Sequence, residues 1–183
     1  VASACHQVED RNYFEKILIS RPIMPMGKDI GFLPGDIDEK LDPWMKPIYD
    51  ALEVIAQEKM PKNNKSQITK RLDGKKIAVD SGKIFIESLT HIRGRSIHRQ
   101  FVIIDEAQNL SPLEIKTIIT RAGEGTKIVL TGDIEQIDNP YVDSKSNGLS
   151  VVLEAFRGSS VGAHIILKDG VRSRLAEEAT IRL

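Results

Sequence analysis

The chain has 183 residues, enough for one α/β domain with a sizeable core. Its 26 basic and 26 acidic residues cancel, so no global field draws it to nucleic acid or membrane, and any such surface must be local. The single Cys5 excludes an internal disulfide and a cysteine zinc site, and no apolar run reaches the roughly 20 residues of a bilayer span. Sparse aromatics beside plentiful β-branched aliphatics favour parallel strands covered by helices over a sandwich. With no secretory leader visible, the expectation is a soluble cytoplasmic protein that does not enter a membrane.

Residues 1–11 read as the tail of a helix, and 15–20 as a short strand stopped by Arg21 and Pro22. A loop with prolines and glycines at turn spacing covers 24–35. Asp42 and Pro43 then read as the N-cap and first turn of a helix, whose apolar positions Met45, Ile48, Leu52 and Ile55 keep helical spacing. Residues 59–76 are polar and basic, with a short helix expected over 67–72. Two strands, 76–79 and 83–87, flank Asp80-Ser-Gly82, either as a hairpin or as parts of an α/β crossover. The firmest strand is 101–105. A capping box over Ser111 to Glu114 opens a helix to Arg121, followed by a strand at 127–130 and a helix at 148–156. A last strand at 163–168 and an amphipathic helix at 173–181 complete a strand-helix alternation typical of a mainly parallel sheet.

The chemistry concentrates where two apolar strands end in acids. Phe101 to Ile104 delivers Asp105 and Glu106 to the rim of the sheet, as a Walker B element does. The first acid holds magnesium, usually through water, and the second polarises a water attacking a γ-phosphate. The same acids would also favour the dipole of the helix beginning at Ser111. The next strand ends in Thr131, Gly132 and Asp133, with Gln136 close behind. A polar group there can sense a γ-phosphate, and a glutamine can orient water. Arg121 and Arg172, at helix ends, have the chemistry of arginine fingers, and each alternatively that of a helix-end ion pair, Arg121 ahead of Arg172. Arg93, Arg95 and Arg99, interleaved with His91 and His98 around Gly94, read either as phosphate contacts for a nucleic acid strand or as a solvated loop. The histidines show no metal-ligand spacing.

Taken in order, Arg21-Pro22, Gly31-Phe-Leu-Pro-Gly35, Ile92-Arg-Gly-Arg95, Ile104-Asp-Glu-Ala-Gln-Asn109, Thr120-Arg-Ala-Gly123, Thr131-Gly-Asp133 with Gln136-Ile-Asp138, and Val171-Arg-Ser173 resemble the PhoH-like family of P-loop ATPases. The one small departure is Ser146-Asn147-Gly148-Leu149, where the family has Ser-Ser-Gly-Leu. The resemblance spans nearly the whole chain and implies a single PhoH-like ATPase domain over 1–183, with a RecA-like core and a mainly parallel sheet between helices. It also implies binding of ATP and Mg2+, a homo-oligomeric ring that is commonly hexameric, and action on single-stranded RNA or DNA as a helicase-type motor in some members. By position, Asp105 and Glu106 become the Walker B acids, with Asp105 the metal ligand. Thr131 and Arg121 lie toward the nucleotide, Asp133 and Gln136 form the sensor, and Arg172 is the arginine contact.

The large departure is the lack of any Gly-x-x-x-x-Gly-Lys-Ser/Thr in the 183 residues. Backbone N–H groups of that loop cradle phosphates, and its Lys and Ser/Thr serve phosphate and metal. In the family the loop precedes the position where this chain begins, so the sequence reads as an ATPase core without its first strand and phosphate loop. The expectation is weak ATP binding by these residues alone and hydrolysis by a longer parent. A non-catalytic nucleic-acid-binding or assembly module on the same fold is the second reading. A phosphoacceptor domain using Asp105 is the third.

Overall fold

A computed structural model describes residues 1–24, 37–59, 73–92, 94–167 and 173–182. The chain divides into two units, Val1–Val152 and Leu153–Leu183.

The first unit is built on four strands: β1 (Lys16–Ser20), β2 (Ile84–Ile86), β3 (Gln100–Ile104) and β4 (Lys127–Leu130). They form one sheet in the order β2-β1-β3-β4, and every pairing is parallel. Helices α1 (Ala2–Cys5), α2 (Ile37–Lys59), α3 (Gly74–Ser81), α4 (Leu89–Ile92), α5 (Pro112–Ile119) and α6 (Gly148–Ala155) accompany it, α1 running on as a π-helical turn over His6–Asp10. The expected α/β architecture with a parallel sheet among helices is therefore present.

Side chains alternate across a strand, so β1 and β3 supply two buried faces. Ile17, Ile19, Phe101 and Ile103 share one face and form a core with Ala4, Cys5, Val8, Met45, Ile48, Leu52 and Ala78 from α1, α2, α3 and the π-helical turn. Phe14 meets Phe101 edge to face at 5.4 Å. Leu18, Val102 and Ile104 point to the other face and are equally buried. Cys5 lies in this core, and burial raises its thiol pKa above the ordinary value.

Three expectations need correction. Residues 76–79 are helical, within α3, because Asp73 caps the helix by accepting the N–H groups of Lys75 and Lys76. That local cap outweighs the β-branched content of Ile77 and Val79. With β2 parallel to β1, the hairpin alternative falls as well. Helix α2 begins at Ile37, so Asp42 is not its cap and Pro43 and Pro47 lie inside it. The Asp42 carboxylate instead binds Tyr49 and Lys75, tying α2 to α3. Residues 163–167 form no strand: Ile165, Ile166 and Leu167 are exposed and pair with nothing among the described residues. The helix expected over 67–72 and the loop over 25–35 fall outside the described residues.

In the second unit, the end of α6 carries an Arg157–Glu154 ion pair at 2.7 Å. Helix α7 (Arg174–Arg182) carries Arg174 and Arg182 on either side of Glu178.

Candidate active site

Register builds the site. Ser20 pairs with Ile104, and Ile104 with Leu130, so the next residue on each strand stands at the same level of the carboxyl edge. Those residues are Arg21, Asp105 and Thr131. Backbone bonds lace the tips together: Asp105 N–H donates to Ser20 O at 2.9 Å, Thr131 N–H to Ile104 O at 2.9 Å, and Ala107 N–H to Thr131 O at 2.9 Å. The Ser20 hydroxyl extends the lacing to β2 by donating to Glu87 O at 2.7 Å.

Side chains add a second layer of bonds at this edge. Thr131 Oγ1 donates to Asp105 Oδ1 at 2.8 Å. Arg21 spans both acids, with Nη1 at 3.6 Å from Asp105 Oδ2 and Nη2 at 3.0 Å from Glu106 Oε1. Glu106 has φ 52° and ψ 41°, a left-handed conformation that costs a non-glycine residue on the order of 1–3 kcal/mol and concentrates at functional sites. This backbone turn redirects the chain from β3 into a 3-10 turn over Ala107–Asn109, all three residues of which are buried.

Asp133 and Gln136 lie together. The Asp133 carboxylate accepts the Glu135 N–H at 2.9 Å and the Gln136 amide at 2.6 Å, closing a compact turn beyond β4. Gln108 joins that turn to the acids: its Nε2 donates to Glu106 Oε2 at 2.6 Å and to Gln136 O at 2.8 Å, and its Oε1 accepts Asp133 N–H at 3.2 Å. Asn109 anchors the chain just beyond this turn, its side-chain oxygen accepting the N–H groups of Asp138 at 2.8 Å and Asn139 at 3.1 Å.

Thus Asp105, Glu106, Thr131, Asp133 and Gln136 converge on one edge. The arginines divide differently. Arg121 lies beside the Ile97–Ala122 bridge at the amino edge of the sheet, its carbonyl accepting Ile97 N–H at 2.9 Å. Its buried Nε has no hydrogen-bond partner among the described residues. Arg99 stands at the same edge, six residues before Asp105 and so about 20 Å from it along an extended chain. Arg99 pairs with Glu15 at 2.8 Å, and Arg95 with Glu87 at 3.0 Å. Arg93 and Arg172 are outside the described residues.

Two further residues of the site, Arg21 and Gln108, carry little signal in the sequence alone. The signal for Arg21 is its place directly after a buried strand, as Asp105 follows β3, but only register aligns the two. Gln108 is legible only as part of a motif.

Magnesium prefers oxygen ligands and keeps several waters, taking one or two carboxylates beside substrate phosphates. The carboxylates of Asp105 and Glu106, both partly exposed at the edge, match that donor chemistry. Among the described residues no group of three or more His, Cys, Asp or Glu forms a protein cage for a metal. No helix among them is long and apolar enough to cross a membrane.

An all-parallel sheet with paired acids at the carboxyl edge of an interior strand is the α/β class of protein, consistent with a P-loop NTPase-like fold. The chain belongs to the PhoH-like family, whose model, described as PhoH-like protein, matches residues 1–182. It is 50% identical over 179 residues to Protein PhoH2 of Bacillus subtilis (strain 168), covering 98% of this chain and 38% of the relative. A PhoH-like protein of the same organism is 38% identical, covering 86% of this chain and 44% of the relative. A PhoH-like protein of Synechocystis sp. is 39% identical, covering 76% and 38% respectively. The chain therefore spans less than half the length of each of these relatives.

Proposed function

We propose that this chain carries the hydrolytic acids of an ATPase. The observation that carries the reading is the shared register level of Arg21, Asp105 and Thr131, with Glu106 turned out beside them. In this reading Asp105, held by Thr131, faces a magnesium-bound nucleotide, and the ion's chemistry is to neutralise charge on the phosphates. Glu106 accepts a hydrogen bond from the attacking water and orients it. Gln136, on the turn closed by Asp133, reaches toward the same phosphate. Arg172 is the proposed arginine contact. Arg121, at the opposite edge in this structure, would have to serve a nucleotide held by another copy.

The phosphate loop is proposed to come from residues outside these 183, since the sequence holds none. An RNA or DNA strand as effector, helicase-type work and a homohexameric ring rest on the family resemblance. The ion pairs of Arg95 and Arg99 give a strand no ready-made free cations at those two positions.

The test is magnesium-dependent ATP turnover by the full-length protein and by its Glu106→Gln form. Losing an acid that acts in the transition state should lower kcat about 100-fold or more while nucleotide affinity holds. Undiminished turnover in the variant would remove Glu106 from the chemistry.

A further inference from the structure

Gln108 is a fully buried polar side chain lying between the two acid-tipped strands. Its neighbours determine which end of the amide is which. The Asp133 N–H can only donate, so the atom 3.2 Å from it is Oε1. The Gln136 carbonyl can only accept, so the atom 2.8 Å from it is Nε2. The second N–H on Nε2 is then left for Glu106 Oε2, 2.6 Å away. The Arg21 guanidinium takes the other oxygen of that carboxylate at 3.0 Å. Each oxygen of Glu106 therefore has its own donor, and rotating the carboxylate breaks one or both bonds.

An independent feature of the packing fits the same arrangement. A Cβ on Gly132 would collide with Oε1 of Gln108 and press on Leu149 and the Ala107 N–H. The strand tip is bare where the amide must pass. Glycine at this position is explained by that close approach, with no special backbone angle involved.

We propose that Gln108 is a positioning residue, setting the angle of the Glu106 carboxylate and tying it to the turn that carries Asp133 and Gln136. The proposal rests on the reading that Glu106 orients the attacking water. Its content is a mechanical link: the turn that would meet the γ-phosphate holds the amide through two backbone groups, and the amide holds the acid. A shift of the turn is thereby passed to Glu106 through the amide.

The experiment uses the full-length protein, with kcat and KM for MgATP, the Kd of a fluorescent non-hydrolysable ATP analogue, and thermal melts. Gln108→Met keeps the length and removes the donors; Gln108→Glu keeps the shape and sets a carboxylate against Glu106. Both should lower kcat about 10- to 100-fold, the cost of a misplaced group, with KM and Kd within about threefold. In a Glu106→Gln background, Gln108→Met should lower the residual rate no further, because the residue acts through Glu106. If the Gln108 variants do not fold, Gly132→Ala displaces the amide from the opposite strand and should give the same split. Unchanged kcat in Gln108→Met beside an inactive Glu106→Gln protein overturns the assignment of Gln108 alone, as does a fully additive double variant. Normal turnover in Glu106→Gln overturns the reading beneath it.

Discussion

Carboxylates in this chain serve two different ends, and hydrogen-bond partners separate them. Asp105 and Glu106 face a guanidinium and an edge open to solvent. Asp143 instead accepts the backbone N–H groups of Ser146 and Lys145, both at 2.8 Å, and builds the turn that leads into α6. These bonds, the one from Ser146 first, hold its pKa below the usual carboxylate range. A depressed folded pKa means that the stabilisation is complete above the unfolded value of about 3.9 and fades as pH falls through the lower folded value. Asp143→Ala should therefore melt below the parent at pH 7, by a modest margin because the carboxylate is exposed. The gap should close as the pH drops below about 4 in thermal melts over a pH series. A gap that persists unchanged in acid would assign the effect to something other than the ionised carboxylate.

Helix α5 shows how far an element can be read in advance. Ser111 accepts the Glu114 N–H, the Glu114 carboxylate returns to the Ser111 N–H, and Pro112 opens the helix. All three roles were legible because a cap needs partners only three residues away. This cap begins just two residues after the buried Gln108–Asn109 pair, so it also steadies the turn that carries them. Ser111→Ala should lower unfolding free energy by about 1 kcal/mol, measured by urea titration. Helices α2 and α3 show the limit. Pro43 looked like a first-turn proline, yet the helix begins at Ile37. Where α3 packs on α2, a Cβ on Gly74 would collide with the Tyr49 backbone, a constraint imposed by the neighbouring helix and invisible in local spacing.

At the scale of the molecule, the strands that carry the site also carry the core. Ile17 on the interior strand β1 is fully buried between β2 and β3, in the strand that Arg21 directly follows. Ile17→Ala removes apolar contact and leaves a cavity in a sheet covered on both sides. The expected loss is about 2–5 kcal/mol, larger than that of Ser111→Ala, and a denaturant series on both variants would rank them. The acids at the end of β3, the capping box of α5 and the kinship with PhoH-like proteins were determined by the sequence alone. Each rests on residues close together in the chain or on an ordered set of short motifs. Tertiary structure alone decided that Arg21 and Gln108 close on Glu106, and that Arg99 and Arg121 stand at the opposite edge from the acids. The reason is register: Ser20 and Ile104 are 84 positions apart in the chain yet paired in the sheet, and periodicity shows which residues are buried without showing which strands meet.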